Sequence, residues 1–355
     1  MSSIATANCI ADAVAPISVL AGHRSHFAVA GITVEVRGED PQSADLGPQL
    51  AQFARLAMTG ELSDIVVQVE WARRLEAIRK NKMFDSGCVW SVHEFGDGFQ
   101  FDFETERFGK RPYKRLLVDA EFQHARVLLN QECLTANDAS RALEYPLDEL
   151  LITHHLSLGR GVELHGCGLV REDGESFLFV GHSGAGKSTT ARLWAQHAEV
   201  EVLSDDRIIV RRDCVGRTLT VARTLLSAAL DSDLCRQQTN VKGRGQERPR
   251  YNQENRQFIM HGTPWHGEAA FASPGRAPLR RIFLLEHGRE NRIEPLSRSA
   301  AVGELLARSF TPFYQSRFVD PVLALLEELV DAVPCYRFHF VPDQTAVETI
   351  LAFHD

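Results

Sequence analysis

The chain has 355 residues, a formal charge of -8 at pH 7 and 44% apolar residues, enough apolar material for a large core and enough length for two domains. The acidic excess works against the attraction that nucleic acid and anionic membranes exert, so neither is an expected partner. Seven cysteines at 9, 88, 133, 167, 214, 235 and 335 include no close pair suited to zinc or a redox dithiol, and with no run of ~20 apolar residues and no signal-peptide pattern at the start, the expected location is cytoplasmic.

Residues 27–36 carry Phe27, Val29, Ile32, Val34 and Val36 and predict a strand. After a poorly patterned stretch, residues 89–129 alternate as a meander, with Gly96-Asp97-Gly98 as a turn and a break at 109–112. Residues 1–139 are therefore expected to form a small, mainly antiparallel β (α+β) domain for docking or dimerisation. Residues 140–158 place Leu143, Leu147, Leu150, Leu151 and His154 at helical spacing and predict a helix opening a second, α/β domain over 140–355. Strands are predicted over 162–170 and 177–180, joined by Glu172-Asp173-Gly174. A helix with Ala191, Trp194, Ala195 and Ala198 on one face follows a glycine-rich segment, and 200–210 returns as a strand.

Residues 234–256 gather Lys242, Arg244, Arg248, Arg250 and Arg256 around glycine and proline. They predict a mobile basic excursion, either a solvated loop or a lid over a triphosphate or an acidic peptide. A strand over 282–285, helices over 300–309 and 321–332, a strand over 336–340 and a closing helix after Asp343 complete the pattern.

The run Gly181-His182-Ser183-Gly184-Ala185-Gly186-Lys187-Ser188 fits G-x-x-x-x-G-K-[ST] and lies between a predicted strand and a predicted helix. Its glycines permit the backbone conformations that turn successive N–H groups toward one anion, and the helix start adds its unpaired amides. The expected triphosphate contacts run from Gly181 through Thr189. Lys187 would neutralise the β and γ phosphates, and the Ser188 hydroxyl would ligate Mg2+. His182 and Ser183 are expected to point their side chains away. The bland alternative is a glycine-rich turn with no ligand.

Asp205 and Asp206 end or interrupt the strand after the loop helix. A parallel strand beside the loop strand would bring them to the same sheet edge as the loop. Phosphoryl transfer needs a carboxylate near the metal and an acceptor for the nucleophile's proton, and two adjacent aspartates can divide those tasks. His165, on the strand before the loop, is by itself an ordinary core histidine.

Taken in order, His165-Gly166, the Gly186-Lys187-Ser188 loop, one helix and Asp205-Asp206-Arg207 resemble the catalytic domain of HPr kinase/phosphorylase, whose fold is shared with phosphoenolpyruvate carboxykinase. The match covers about residues 147–210. Residues 262–268 and 334–343 are similar to a bacterial subgroup found with peptide-modification systems. The resemblance implies a mixed-sheet P-loop domain that uses ATP and Mg2+ to phosphorylate a Ser or Thr hydroxyl of a peptide or protein. His165 and the two aspartates would then surround the acceptor, with Asp206 as base and Asp205 nearer the metal. The arginine-bearing loop of the phosphorylase reaction has no clear counterpart, so neither phosphorolysis nor recognition of HPr is implied. In its place stand the 262–268 segment, Glu268 as a third acid near the metal, and Arg276 as a charge stabiliser for the transferring group. Trp265 either lines the nucleotide or peptide groove or simply packs. A small-molecule kinase, for example of free serine, and a nucleotide-binding accessory protein without transfer activity are the alternatives. Homo-oligomerisation through the first domain is compatible with all three.

Overall fold

The computed structural model describes residues 22–56, 62–77, 81–109, 111–213 and 257–354, the side chains of 139–141 excepted. The predicted basic excursion at 234–256 lies outside the described residues. The first half folds as β1 (His23–Val29), β2 (Ile32–Gly38), α1 (Gly47–Ala51), β3 (Ile65–Ala72), β4 (Lys82–Asp85), β5 (Trp90–Phe95), β6 (Gly98–Phe103), β7 (Lys114–Val118) and β8 (His124–Asn130).

Residues 27–36 are thus parts of two strands rather than one. The apolar phase changes from odd to even between Val29 and Ile32, and there Ala30 and Gly31 take φ of 52° and 75°, the two-residue turn whose twist suits a hairpin. The register Phe27↔Val34 and Val29↔Ile32 follows. The eight-stranded sheet has the order β1-β2-β3-β8-β7-β6-β5-β4. The predicted meander is its β5-β6-β7-β8 section, antiparallel throughout. The expectation of a mainly antiparallel sheet holds for five of its seven strand pairings; β3 runs parallel to both β2 and β8, so the sheet is mixed. The parallel step from β2 to β3 needs a crossover, and the α1 segment supplies it.

The second half contributes α2 (Leu147–Ser157), β9 (Val162–Arg171), β10 (Ser176–Val180), α3 (Lys187–Trp194), β11 (Val200–Ser204) and β12 (Arg207–Arg212). After the undescribed stretch come β13 (Phe258–His261), β14 (Arg276–Pro278), β15 (Arg281–His287), β16 (Arg292–Pro295), α4 (Arg298–Leu306), α5 (Ser316–Ala332), β17 (Cys335–Phe340) and α6 (Gln344–Leu351). The sheet order is β14-β13-β12-β9-β10-β15-β17-β16, with β11 also paired to β9. Only β10 with β15 and β15 with β17 are parallel, so this sheet is mixed as well. The molecule is therefore mixed α/β, with two mixed sheets and few helices among the described residues.

α2 is shorter than its sequence pattern, beginning at Leu147, and is buried on almost every side. Its Leu147, Leu151, Ile152 and Leu156 join the core of the first sheet together with Phe318 of α5, Ile209 of β12 and Trp265. Each such side chain contributes about 1.5–3 kcal/mol when fully buried, so the helix fastens the two halves together rather than merely leading into the second. On the other face of the second sheet, Ala191 and Trp194 of α3 pack on Phe177, Phe179 and Phe283. Among the described residues no helix is long and apolar enough to cross a membrane.

Candidate functional site

β10 delivers the chain at Val180 and α3 resumes it at Lys187, with the glycine-rich loop between. Two of its glycines are required sterically. Gly186 has φ of 100°, and a Cβ there would lie 2.3 Å from Cζ of Phe340, while Gly184 has φ of 80° in open space. His182, Ser183 and Gly184 are exposed, Ala185 is buried, and Ser188 and Thr189 are half-buried. Lys187 is buried, and its Nζ donates to the carbonyls of Gly181 and His182 at 3.0 Å each. Burial, reinforced by Arg207 and Arg308, pulls its pKa from the ordinary 10.5 down to about 8. The first amides of α3 have no acceptor within the helix and face the loop end.

Asp205 and Asp206 occupy the break between β11 and β12. Both strands pair antiparallel with β9, at Val202↔Leu169 and Arg207↔His165. The loop strand lies between β9 and β15, its parallel neighbour is β15, and β11 lies beyond β9, one strand farther out than the adjacent parallel strand expected from the sequence. The aspartates still reach the loop, because they sit in the short gap between β12, which pairs with β9 up to His165, and β11, which pairs with it from Gly168, while α3 packs against β9.

The Asp205 carboxylate is fully buried and accepts four hydrogen bonds. Oδ1 takes the amides of Gly267 (3.0 Å) and Phe271 (3.2 Å), and Oδ2 takes the amide of Ala269 (2.9 Å) and the hydroxyl of Ser188 (3.0 Å). Four donors fill a carboxylate's acceptor positions. Gly267 must lie this close: a Cβ on it would fall 2.8 Å from Oδ2 of Asp205 and 3.0 Å from Cβ of Asp206.

Asp206 is partly exposed. Its Oδ1 lies 2.9 Å from Nε2 of His165, and Oδ2 is held by Nη1 of Arg207. Burial, with the Lys187, Arg207 and Arg308 cations nearby, lowers the His165 pKa to about 4, so the neutral ring donates Nε2–H to the carboxylate. The Ser204 hydroxyl accepts from the amides of Asp206 (3.3 Å) and Arg207 (3.2 Å) and shapes the turn. Arg207 extends the constellation: it pairs with Glu149 of α2, lies 3.8 Å from Glu163, and sits 4.6 Å from the Phe310 ring centroid. Glu163 is buried beside Glu149, and burial raises its pKa well above the ordinary value.

No protein-family model matches the chain, and no curated protein does.

Of the residues expected from the sequence, Lys187, Ser188, Asp205, Asp206 and His165 converge. Glu268 lies within the segment that clasps Asp205, but its side chain is exposed; what that segment supplies is the flanking main-chain amides. Arg276 opens β14 at the far edge of the sheet, exposed and in register with His261. Among the described residues no hydrogen bond or ion pair joins it to the loop or the aspartates. Trp265 is packed, 2% exposed with Nε1 donating to Asp148 at 2.9 Å, and it also lines a cleft beside Tyr145, Arg207 and Pro264. Burial in turn lifts the Asp148 pKa to about 7.

Sequence reasoning missed Arg207 as an anchor, Glu149 as its partner, and His287. The His287 ring stacks on Phe340 (5.4 Å, 24°), and its Nε2 lies 3.0 Å from the Gly184 carbonyl. Only the glycine at 267 signalled the close approach of the 267–271 segment. For a divalent cation arriving with a triphosphate, which keeps most of its water and takes few protein ligands, the donor set fits in a specific way. A cation bound there would find a lone pair on the Ser188 oxygen while the Ser188 hydroxyl goes on donating to Asp205, which would make Asp205 the group that orients that ligand. Among the described residues no group of three or more His, Cys, Asp or Glu side chains is placed to hold a metal ion.

Proposed function

We propose that this chain is an ATP- and Mg2+-dependent kinase of the HPr-kinase-like type, transferring the γ-phosphoryl group to a Ser or Thr hydroxyl of a peptide or protein. The observation that carries it is the Ser188–Asp205 hydrogen bond at 3.0 Å, which brings the loop's hydroxyl and a buried acid together, with Asp206 next in the chain as a second, more accessible acid. The loop flanks and the mixed sheet around β10 support the same fold assignment.

On this reading the loop amides and the Lys187 ammonium hold the β and γ phosphates. Magnesium, bound with the triphosphate through Ser188, would neutralise charge on the transferring group. Asp205 holds the Ser188 hydroxyl by its proton. Asp206 takes the proton of the acceptor hydroxyl as the new O–P bond forms; the bond from γ-phosphorus to the bridging oxygen breaks, and its electron pair leaves with ADP. His165 and Arg207 each occupy one oxygen of Asp206 and fix its plane, leaving an acceptor position on each oxygen for the incoming hydroxyl.

The test is transfer of labelled γ-phosphate to a pool of serine- and threonine-containing peptides with Mg2+. Asp206→Asn is expected to lower the rate by about 10²-fold or more with nucleotide affinity retained. Transfer that is unaffected by Asp206→Asn would remove the base assignment, and absence of nucleotide binding would remove the whole reading.

A further inference from the structure

A cleft of about 620 Å³ opens against Arg207, whose guanidinium holds Asp206. Its walls come from both halves of the chain. Pro48, Gln49 and Gln52 belong to α1 or follow it directly, and Pro264 and His266 face them from the segment that continues into the Asp205 clasp. Nε2 of Gln49 donates to the Pro264 carbonyl at 3.1 Å and ties the walls together. The volume lies within the roughly 300–1,000 Å³ range of ligand sites, and the cleft lies on the side of Asp206 that Arg207 occupies.

The lining decides the class of occupant. Among the described residues that line it, Arg207 alone carries a fixed charge, and that charge is already met by Asp206, Glu149 and Glu163. The Nδ1 of His266 is engaged with the Gly267 carbonyl at 3.1 Å. A free hydroxy-amino acid would bring an ammonium and a carboxylate, and neither would find a partner; stranding them out of water is costly. A residue inside a peptide brings only amide groups, for which the carboxamides of Gln49 and Gln52 offer both donors and acceptors. The exposed ring of Tyr145 and the prolines offer apolar surface to its neighbours.

We propose that this cleft seats the acceptor as an internal, extended peptide segment with uncharged residues flanking the Ser or Thr, and that the first half of the chain selects it through α1. The assignment rests on the kinase reading above and adds the substrate class and the part of the chain that reads it.

The probe is a positional-scanning library of serine peptides, assayed with Mg·ATP alongside a pool of free hydroxy-amino acids. The full-length protein is compared with Gln52→Glu and Gln52→Lys, both at an exposed position where folding is not at stake. The parent is expected to favour uncharged flanking residues. Gln52→Glu should shift one library position toward Lys or Arg and Gln52→Lys should shift the same position toward Asp or Glu, each by about fivefold, the scale of an exposed ion pair, with the Kd for Mg·ATP unchanged. Peptide transfer with preferences identical in all three proteins overturns the inference and leaves the kinase reading standing. Transfer to free hydroxy-amino acids but not to peptides overturns the substrate class. Loss of Mg·ATP binding in the parent itself overturns the kinase reading and, with it, this one.

Discussion

Replacing Asp205 by asparagine isolates the clasp between the acid pair and the 267–271 segment. The carboxylate accepts three main-chain amides and the Ser188 hydroxyl. An asparagine keeps one oxygen, and its best orientation leaves that oxygen on Gly267 and Phe271 and puts the NH2 where Oδ2 stood. Ser188 can rotate to accept from that NH2, but the Ala269 amide then faces a donor. The loss is one charge-assisted hydrogen bond and one buried amide without an acceptor, together about 2–4 kcal/mol. Urea unfolding should therefore show a clear drop in midpoint at unchanged slope, and hydrogen exchange should accelerate at residues 267, 269 and 271 before other buried amides. Nucleotide affinity should fall as well, because Ser188 loses its orienting acceptor. Stability within 0.5 kcal/mol of the parent, a change typical of ordinary surface substitutions, together with unaltered exchange at those amides, would refute the clasp.

The loop glycines make an ordered pair of predictions. Gly184→Ala meets nothing within 4 Å and bears only its positive φ, about 1–2 kcal/mol. Gly186→Ala bears the same cost and also drives a methyl into Phe340, adding roughly 1–3 kcal/mol; thermal melts should rank the two accordingly, and the reverse order would contradict the loop geometry. Lys187 predicts a proton linkage. Its pKa is depressed from 10.5 to about 8, so between these pH values the unfolded chain holds the proton and the folded one does not, and stability should climb as pH rises through that window. A triphosphate beside the amine reverses this, so calorimetry in buffers of different ionisation enthalpy should find proton uptake on Mg·ATP binding above pH 8 and little at pH 6.

Much of the site was legible because its parts are short-range. A glycine loop between a strand and a helix, and an acid pair one helix later, are set by local spacing, and in the structure Ser188 and Asp205 do meet. What the sequence hid was set by distant contacts. That Asp205 would be clasped by amides at 267–271 depends on chain more than sixty residues away, and amides leave no trace in side-chain chemistry. Glu268 drew notice because it is an acid, whereas its neighbours' N–H groups make the contacts. Arg276 looked useful as a cation near a shaped loop, yet the β13–β14 hairpin carries it to the sheet edge. The same limits apply to the fold. The meander from β5 to β8 could be read from alternation, but the parallel insertion of β3 could not, because register between strands far apart in sequence is decided by packing.

The central claim is that Lys187 and the loop amides grip a magnesium-bound triphosphate beside the acid pair. Isothermal titration with Mg·ATP tests it most directly: the parent protein should bind one equivalent, and Lys187→Ala should lose at least tenfold in affinity, about 1.4 kcal/mol, while keeping its fold by circular dichroism. Absence of binding to the parent, or equal affinity in the folded Lys187→Ala protein, would contradict the account.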